Sequence, residues 1–287
     1  MISRLKDMAA QAGMRSMVIT FDRHPRQVVS PDYVPALLTT LDEKLRLLRL
    51  TGVDTVEVLH FDTAMAQLSA REFMRQVLRD RLGVRRLLIG YDNRFGHNRA
   101  EGFDSYVAYG RELGIDVALN TPVDVDGLRV SSSLVRRLLA QGDVDEANRC
   151  MGHALRIYGT VAHGFAEGRK MGFPTANIAP SSPTQMLPAA GVYAVRVSIE
   201  GGEWLAAMMN IGTNPTFGRS SLTLEAHIIG FGGDIYGRRI CVEPAARIRD
   251  ERRFGSPDEL RLQLGRDLAT AARLLGVQPG SCPATHK

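Results

Sequence analysis

From residue 166 to residue 178 the chain reads "AEGRKMGFPTANI", a stretch rich in chemistry and poor in bulk. Gly168 and Gly172 flank the basic pair Arg169 and Lys170. Glycines let a backbone approach phosphate oxygens closely and present N–H groups as an anion nest, and an adjacent cation adds charge. Pro174 enforces an extended entry and donates nothing. Residues two apart in an extended segment point the same way, so Thr175 and Asn177 aim their oxygens together. Mg²⁺ takes such oxygens, a few from protein and the rest from phosphate and water. A glycine-rich hairpin in which Thr175 and Asn177 make local turn bonds accounts for the same residues.

A second stretch, "SLTLEAHII" (221–229), alternates strictly. Leu222, Leu224, Ala226 and Ile228 fall on one face; Thr223, Glu225, His227 and Ile229 fall on the other. Glu225 is a lone carboxylate in the middle of an apolar strand. Two readings stand: an exposed strand residue or half of a surface ion pair, or a base that accepts a proton from an attacking hydroxyl. His227 is read as its neighbour rather than as a catalyst.

The elements that must position these residues divide the chain in two. Up to about residue 150, apolar runs such as "SMVITF", "VDTVEVL", "RRLLIG" and "IDVALN" alternate with helical patterns. The first helix ends at Gly13, a natural C-cap; another opens on Ser69 with Glu72 closing a capping box. Strands separated by helices of this length predict βαβ units and a parallel sheet. Near Met151 the period changes. "RIYGTVAHG", "GVYAVRVSIE", "EWLAAMMNIG", "SLTLEAHIIG" and "RRICVEPAARI" are short alternating runs split by glycine-rich turns, which predicts a small antiparallel barrel or sandwich. A helix capped by Ser256 and closed by Gly276 follows. The expected division is an α/β domain over 1–150, a β domain over 151–279 and a tail over 280–287.

Composition narrows the class. No apolar run approaches the roughly 20 residues of a membrane span, and the opening "MISRLKDMAA" lacks the core of a signal peptide. The three cysteines, Cys150, Cys241 and Cys282, are far apart and in no C-x-x-C spacing. That argues against a disulfide framework and a zinc site, and for a reducing cytoplasm. The net charge of +5 is spread among acids without basic–aromatic interleaving, so phosphorylated small molecules fit better than nucleic acid as partners.

"GRKMGFPTANI" taken with "MNIGTNPTF" (209–217), "GVYAVRV" (191–197) and "LEAHII" (224–229) resembles the riboflavin kinase domain. The wider layout, from about Ser16 to Leu275, resembles the prokaryotic bifunctional riboflavin kinase/FMN adenylyltransferases, also called FAD synthetases. The resemblance implies a doubly wound, nucleotidyltransferase-like parallel sheet followed by a six-stranded antiparallel barrel and a C-terminal helix. It implies that Gly164 and Arg169 hold ATP phosphates, that Thr175 and Asn177 hold Mg·ATP, and that Glu225 is the base on the ribityl 5′-hydroxyl of riboflavin. "RIRDERRF" (247–254) matches the flavin-side loop, with Arg249 and Phe254 as candidates, against the alternative of a basic surface turn. Asn210 is read as structural.

In the first half, "VITFDRHP" (18–25), "LLTTLDEKLRLL" (37–48), "IGYDNRFG" (89–96) and "VSSSLVRR" (130–137) match adenylyltransferase segments. They imply nucleotide-side roles for His24, Asp92, Asn93, Ser132, Ser133 and Arg136. Hydroxyls and amides at a helix N-terminus with an arginine one turn in can bind phosphate; a plain serine cap beside a solvated arginine is the alternative. The family also opens with a strand and the motif G-x-F-D-G-x-H-x-G-H, whose histidines stabilise the phosphorus during adenylyl transfer. No H-x-G-H occurs here, and the seven histidines are isolated from one another. The expectation is therefore a parallel sheet lacking its first strand, with an open edge. It is paired with a start at an internal methionine, because the remaining elements look undecayed, rather than with loss of the second activity. ATP and Mg²⁺ are the implied co-substrate and metal, and riboflavin and FMN the partners. Two rivals are a flavin-binding module without turnover, and a nucleotidyltransferase for another substrate, which would leave the barrel idle.

Overall fold

A computed structural model describes every residue except 31, 92, 123, 164–167, 169–171, 215–220 and 279–287. The chain divides into two compact units: Met1–Pro35 with Thr40–Arg129, and Ala36–Thr39 with Val130–Lys287.

In the first unit, α1 (Ile2–Gln11) leads into β1 (Met17–Phe21), followed by α2 (Pro25–Val29), α3 (Leu41–Leu50), β2 (Thr55–Leu59) and α4 (Thr63–Gln67). Helix α5 (Ala70–Glu72) starts on the expected reciprocal box between Ser69 and Glu72 and continues in π-helical winding over Phe73–Arg81. Then come β3 (Arg86–Ile89), α6 (Phe103–Leu113), β4 (Asp116–Leu119) and a two-residue ladder of β5 (Asp124–Val125) with β6 (Leu128–Arg129). The pairings are parallel, as the βαβ reading requires: β1 runs beside β2 from Met17–Thr55 to Phe21–Leu59, and β3 beside β4 from Arg86–Asp116 to Ile89–Leu119.

The sheet differs from the expected one in one respect. It is not a single sheet with one open edge but two separate two-stranded sheets. A cavity of about 980 Å³ is lined by every residue of β1 and of β3, by Thr55 alone from β2 and by nothing from β4. The interruption therefore falls in the middle of the parallel layer. Sequence periodicity locates strands but carries no information on their lateral order, which is why the gap read as an edge.

In the second unit, α7 (Ser132–Gln141) and α8 (Val144–Met151) precede six strands: β7 (Ile157–Ala162), β8 (Ala176–Pro180), β9 (Gly191–Ile199), β10 (Trp204–Asn214), β11 (Ser221–Ile228) and β12 (Arg239–Arg249). They close into an antiparallel barrel in the order β10-β11-β8-β7-β12-β9. Closure removes the exposed edges that so short a sheet would otherwise present. Alternation fills the interior: Ile157, Val161, Ile178, Val195, Val197, Met209, Ile211, Leu224, Ile240 and Val242 share one buried core with Leu134 and Leu138 of α7. Each such side chain contributes about 1.5–3 kcal/mol of burial. Residues 36–39 join this unit because Leu37 exchanges backbone hydrogen bonds with Thr184 and Met186. The change of period near Met151 marks where strands begin, whereas packing groups α7 and α8 with the barrel. The last helix, α9 (Pro257–Leu275), is capped by Ser256 and Gly276 as expected. It lies on the barrel through Ala271 and Leu275, which pack with Ala194 and Met208. Among the described residues no helix is long and apolar enough to cross a membrane.

Candidate active site on the outer face of the barrel

Because Ala176 and Ile178, Met209 and Ile211, and Leu224 and Ala226 point into the core, the residues between them point out. Strand register then sets three polar side chains in a row. Asn210 of β10 lies opposite Glu225 of β11, and Glu225 lies opposite Asn177 of β8. Directly opposed residues share a face at about 4.5–5.5 Å between Cβ atoms. The "PTAN" stretch is thus the start of a barrel strand, and its asparagine is the cross-strand neighbour of the lone carboxylate. All three are half-buried. Burial pushes the Glu225 carboxyl above its ordinary value, since desolvation disfavours the charged form.

Thr175 precedes β8 and is half-buried. A Cβ added to Gly168 would meet the Phe173 carbonyl oxygen at 2.3 Å and Thr175 Oγ1 at 3.4 Å, and the Phe173 amide donates to the Gly168 carbonyl at 2.8 Å. Only glycine lets the loop fold this closely over the threonine. Gly164 and Arg169 lie outside the described residues, as does Lys170. His227 is the expected neighbour: its Nδ1 is 2.8 Å from the Pro174 carbonyl, and its ring meets Phe173 edge-on. It tethers the entry to β8 to the strand that carries Glu225.

The "RIRDERRF" segment approaches from the other side. A Cβ on Gly212 would come within 2.5 Å of Glu251 Oε1 and 2.9 Å of Asn210 Nδ2, so Glu251 lies over β10 next to the polar row. Glu251 lies in the "RIRDERRF" segment but is not among its candidates; the glycine two residues after Asn210 is the trace of its position over β10. Arg249 is engaged elsewhere. Its Nε and Nη2 donate to the carboxylate of Asp267 on α9 at 2.7–3.1 Å, and its Nη1 donates to the Asp250 carbonyl. The guanidiniums of Arg249 and Arg252 both face the Phe254 ring, at 5.6 and 4.7 Å.

The first-half candidates fall on both units. His24 caps α2, its Nδ1 accepting the Arg26 amide while Gln27 returns a bond to its backbone. Asn93 closes a turn onto Gly90 and lines the cavity of the first unit. Asp92 is outside the described residues. In the second unit, the cap of α7 is Ser131 rather than Ser132. Ser132 and Ser133 are exposed at the helix start, and Arg136 Nε donates to the Ala36 carbonyl at 2.8 Å. Sequence reasoning missed one cluster at the carboxyl ends of β1 and β2, where open parallel sheets place ligands. There the Phe61 amide and His60 hold the Asp22 carboxyl below its usual range. Lys44, whose amine donates to the Phe21 carbonyl, is pushed down by burial.

Comparison with known proteins adds the following. A riboflavin kinase family model matches residues 151–275, and an FAD synthetase family model matches residues 1–134. The bifunctional riboflavin kinase/FMN adenylyltransferase of Pseudomonas fluorescens is 37% identical over 287 residues, covering 100% of this chain and 89% of that protein. The Escherichia coli K12 protein of the same name is 38% identical over 277 residues, covering 96% of this chain and 88% of its own. A crystal structure from Streptococcus pneumoniae, titled as a macrolide-efflux protein, superposes with a TM-score of 0.85 at 30% identity, covering 94% of this chain and 87% of that one.

Proposed function

The chain belongs to the bifunctional riboflavin kinase/FMN adenylyltransferase family, and from that premise we propose that its barrel phosphorylates riboflavin to FMN with ATP at the row Asn210–Glu225–Asn177. The observation that carries the proposal is the pairing of Glu225 with Asn177 across β11 and β8. It puts a carboxylate beside the strand that Thr175 immediately precedes.

In this reading Glu225 takes the proton of the ribityl 5′-hydroxyl as that oxygen attacks the γ-phosphorus. The new O–P bond forms, the bond to the β,γ-bridging oxygen breaks, and ADP leaves. Phosphoryl transfer asks a protein chiefly for positioning and charge neutralisation. Gly164, Gly168 and Arg169 belong to the loop that receives the phosphates. Phe254 offers an aromatic face to the isoalloxazine, and Arg249 positions that loop through α9. Mg²⁺ fits the donor set, because Thr175 and Asn177 offer neutral oxygens of the kind this cation takes. No group of three or more His, Cys, Asp or Glu that could hold a metal occurs among the described residues. When bound, Mg²⁺ neutralises charge on the phosphate oxygens.

Gly168→Ala tests the loop. The added Cβ collides with a backbone oxygen, so the loop must lift off Thr175. The KM for ATP is expected to rise roughly tenfold or more, the equivalent of about 1.4 kcal/mol, with a smaller change in the KM for riboflavin. Unchanged ATP kinetics would remove Gly168 from the nucleotide site.

The family's second reaction, FMN plus ATP to FAD and diphosphate, is assigned to the first-half segments, with His24, Asp92, Asn93, Ser132, Ser133 and Arg136 as its nucleotide-side candidates. The 287 residues contain no H-x-G-H. A polypeptide of these residues, given riboflavin and Mg·ATP, is expected to accumulate FMN without FAD, read by chromatography of the flavins. FAD among the products would show that the adenylyl transfer does not need that motif. Absence of FMN, with riboflavin bound and no ATP consumed, would favour a binding module instead.

A further inference from the structure

The strand that leads into the flavin-side segment ends irregularly. β12 shifts register against β9 between Pro244 and Ala246 and again between Arg247 and Arg249. In a regular strand Arg247 and Arg249 would share a face; the bulge between them re-aims one of the two. Arg249 turns to Asp267 on α9. Arg247 turns to α7. Its Nη1 donates to the Gln141 carbonyl at 2.9 Å, and its Nη2 to the Ala190 carbonyl at 2.7 Å, just ahead of β9. Gln141 is the last residue of α7, so its carbonyl is one of those a helix end leaves without an intrahelical partner, and a cation there is favourable.

The surroundings leave room for this guanidinium and for little else. A Cβ on Gly142, the left-handed residue that caps α7, would lie 2.8 Å from Arg247 Cζ and Nε and from the Tyr193 hydroxyl oxygen. A Cβ on Gly191 would lie 3.0 Å from the same Nε. That Nε is buried and has no hydrogen-bond partner among the described residues. An unmet buried donor costs stability, and departures of this kind are expected where function overrides stability. Asp250, three residues on, is held from both sides: its carboxylate by Arg247 Nη2 at 2.9 Å, its carbonyl by Arg249 Nη1 at 2.9 Å. The Asp250 side chain is exposed, which makes that ion pair weak. The two carbonyl bonds carry the grip.

We propose that Arg247 is a positioning residue for the flavin: it pins the start of the 250–254 segment to the end of α7 and to the entry of β9, and so fixes where Glu251 meets β10 and where Phe254 stands. The proposal rests on the kinase reading above and deepens it. The segment then has two anchors on two helices, Arg249 on α9 and Arg247 on α7. Arg247 touches neither substrate; it acts through the backbone that it holds. The nucleotide side is built from Thr175, β8 and the loop at Gly168, none of which bonds to Arg247. Loss of the anchor therefore falls on riboflavin rather than on ATP.

Three single variants of the full chain test this. Arg247→Met removes the anchor. Gly142→Ala keeps the arginine and fills its place with a methyl group. Gly152→Ala is the control: Gly152 caps α8 in the same left-handed conformation, but a Cβ there meets nothing within 4 Å. Both glycine variants carry the same kind of backbone strain, so similar falls in melting temperature are expected from them. Arg247→Met and Gly142→Ala are expected to raise the KM for riboflavin about tenfold, with the KM for ATP little changed, and to speed hydrogen exchange over 250–254. Gly152→Ala is expected to do neither. An equal rise in riboflavin KM from Gly152→Ala would reduce the effect to general destabilisation and overturn the proposal. So would an unchanged riboflavin KM in Arg247→Met; should that variant not fold, Gly142→Ala decides alone. If the wild type forms no FMN, the kinase reading fails, and exchange over 250–254 still decides whether Arg247 pins the segment.

Discussion

Replacing Glu225 by glutamine is expected to slow FMN formation by about 10²–10⁴-fold, the usual worth of a general base, and to leave the protein at least as stable as before. The two halves of this expectation have one cause. The side chain is half-buried between Asn210 and Asn177, and desolvation raises its pKa above the ordinary value of 4.5. A carboxyl raised in the folded state binds more protons there than in the unfolded chain. Between pH 4.5 and the raised value, stability therefore falls as pH rises. Above that window the folded protein carries the cost of an ionised carboxylate in a half-buried place. Glutamine has no charge to desolvate, so the cost disappears with the activity. Catalysis needs the ionised form, so the wild-type rate is expected to rise with pH through the same raised pKa. Turnover and thermal unfolding, measured together across pH, separate the roles. Near-normal turnover in the variant would remove Glu225 as the base. A lowered melting temperature would assign it to the fold instead.

That carboxylate was legible in the sequence because strand alternation is a local signal. "SLTLEAHII" places Glu225 opposite the core-facing Leu224 and Ala226 without any tertiary information. The capping box at Ser69 and Glu72, the ends of the last helix and the switch from helical to alternating patterns near Met151 are local in the same sense. Register is not local. That Asn177 sits beside Glu225 depends on the pairing of β11 with a strand far back in the chain, and the motif resemblance rather than any periodicity drew those two together; Asn210, on the other side of Glu225, is read from the sequence as structural. Arg249 illustrates a third kind of information. Its partner Asp267 lies 18 residues on, in the middle of a helix whose pattern gives no sign that one aspartate is buried. The same holds for Asp22, His60 and Lys44, brought together by the single crossover from β1 through α3 to β2.

The Arg249–Asp267 pair supports the second large prediction. Asp267 is 1% exposed and the Arg249 side chain 18%. Gln263 occupies a further position on the carboxylate with a bond of 2.7 Å. Removing one member of a buried pair leaves the other charge without compensation, so Asp267→Ala is expected to cost about 3–5 kcal/mol. For a unit of this size that lowers the melting temperature by roughly 10 °C. The stranded guanidinium also frees the segment that carries Glu251 and Phe254, so the KM for riboflavin should rise while that for ATP changes little. The double variant Arg249→Met/Asp267→Leu decides between two roles for the arginine. Apolar replacements of a buried pair often restore stability, because neither side chain then needs a partner. If stability and the riboflavin KM both return, Arg249 acts by pinning the loop to α9. If stability returns and the KM stays high, the guanidinium itself meets the flavin, and the positioning role assigned to it falls.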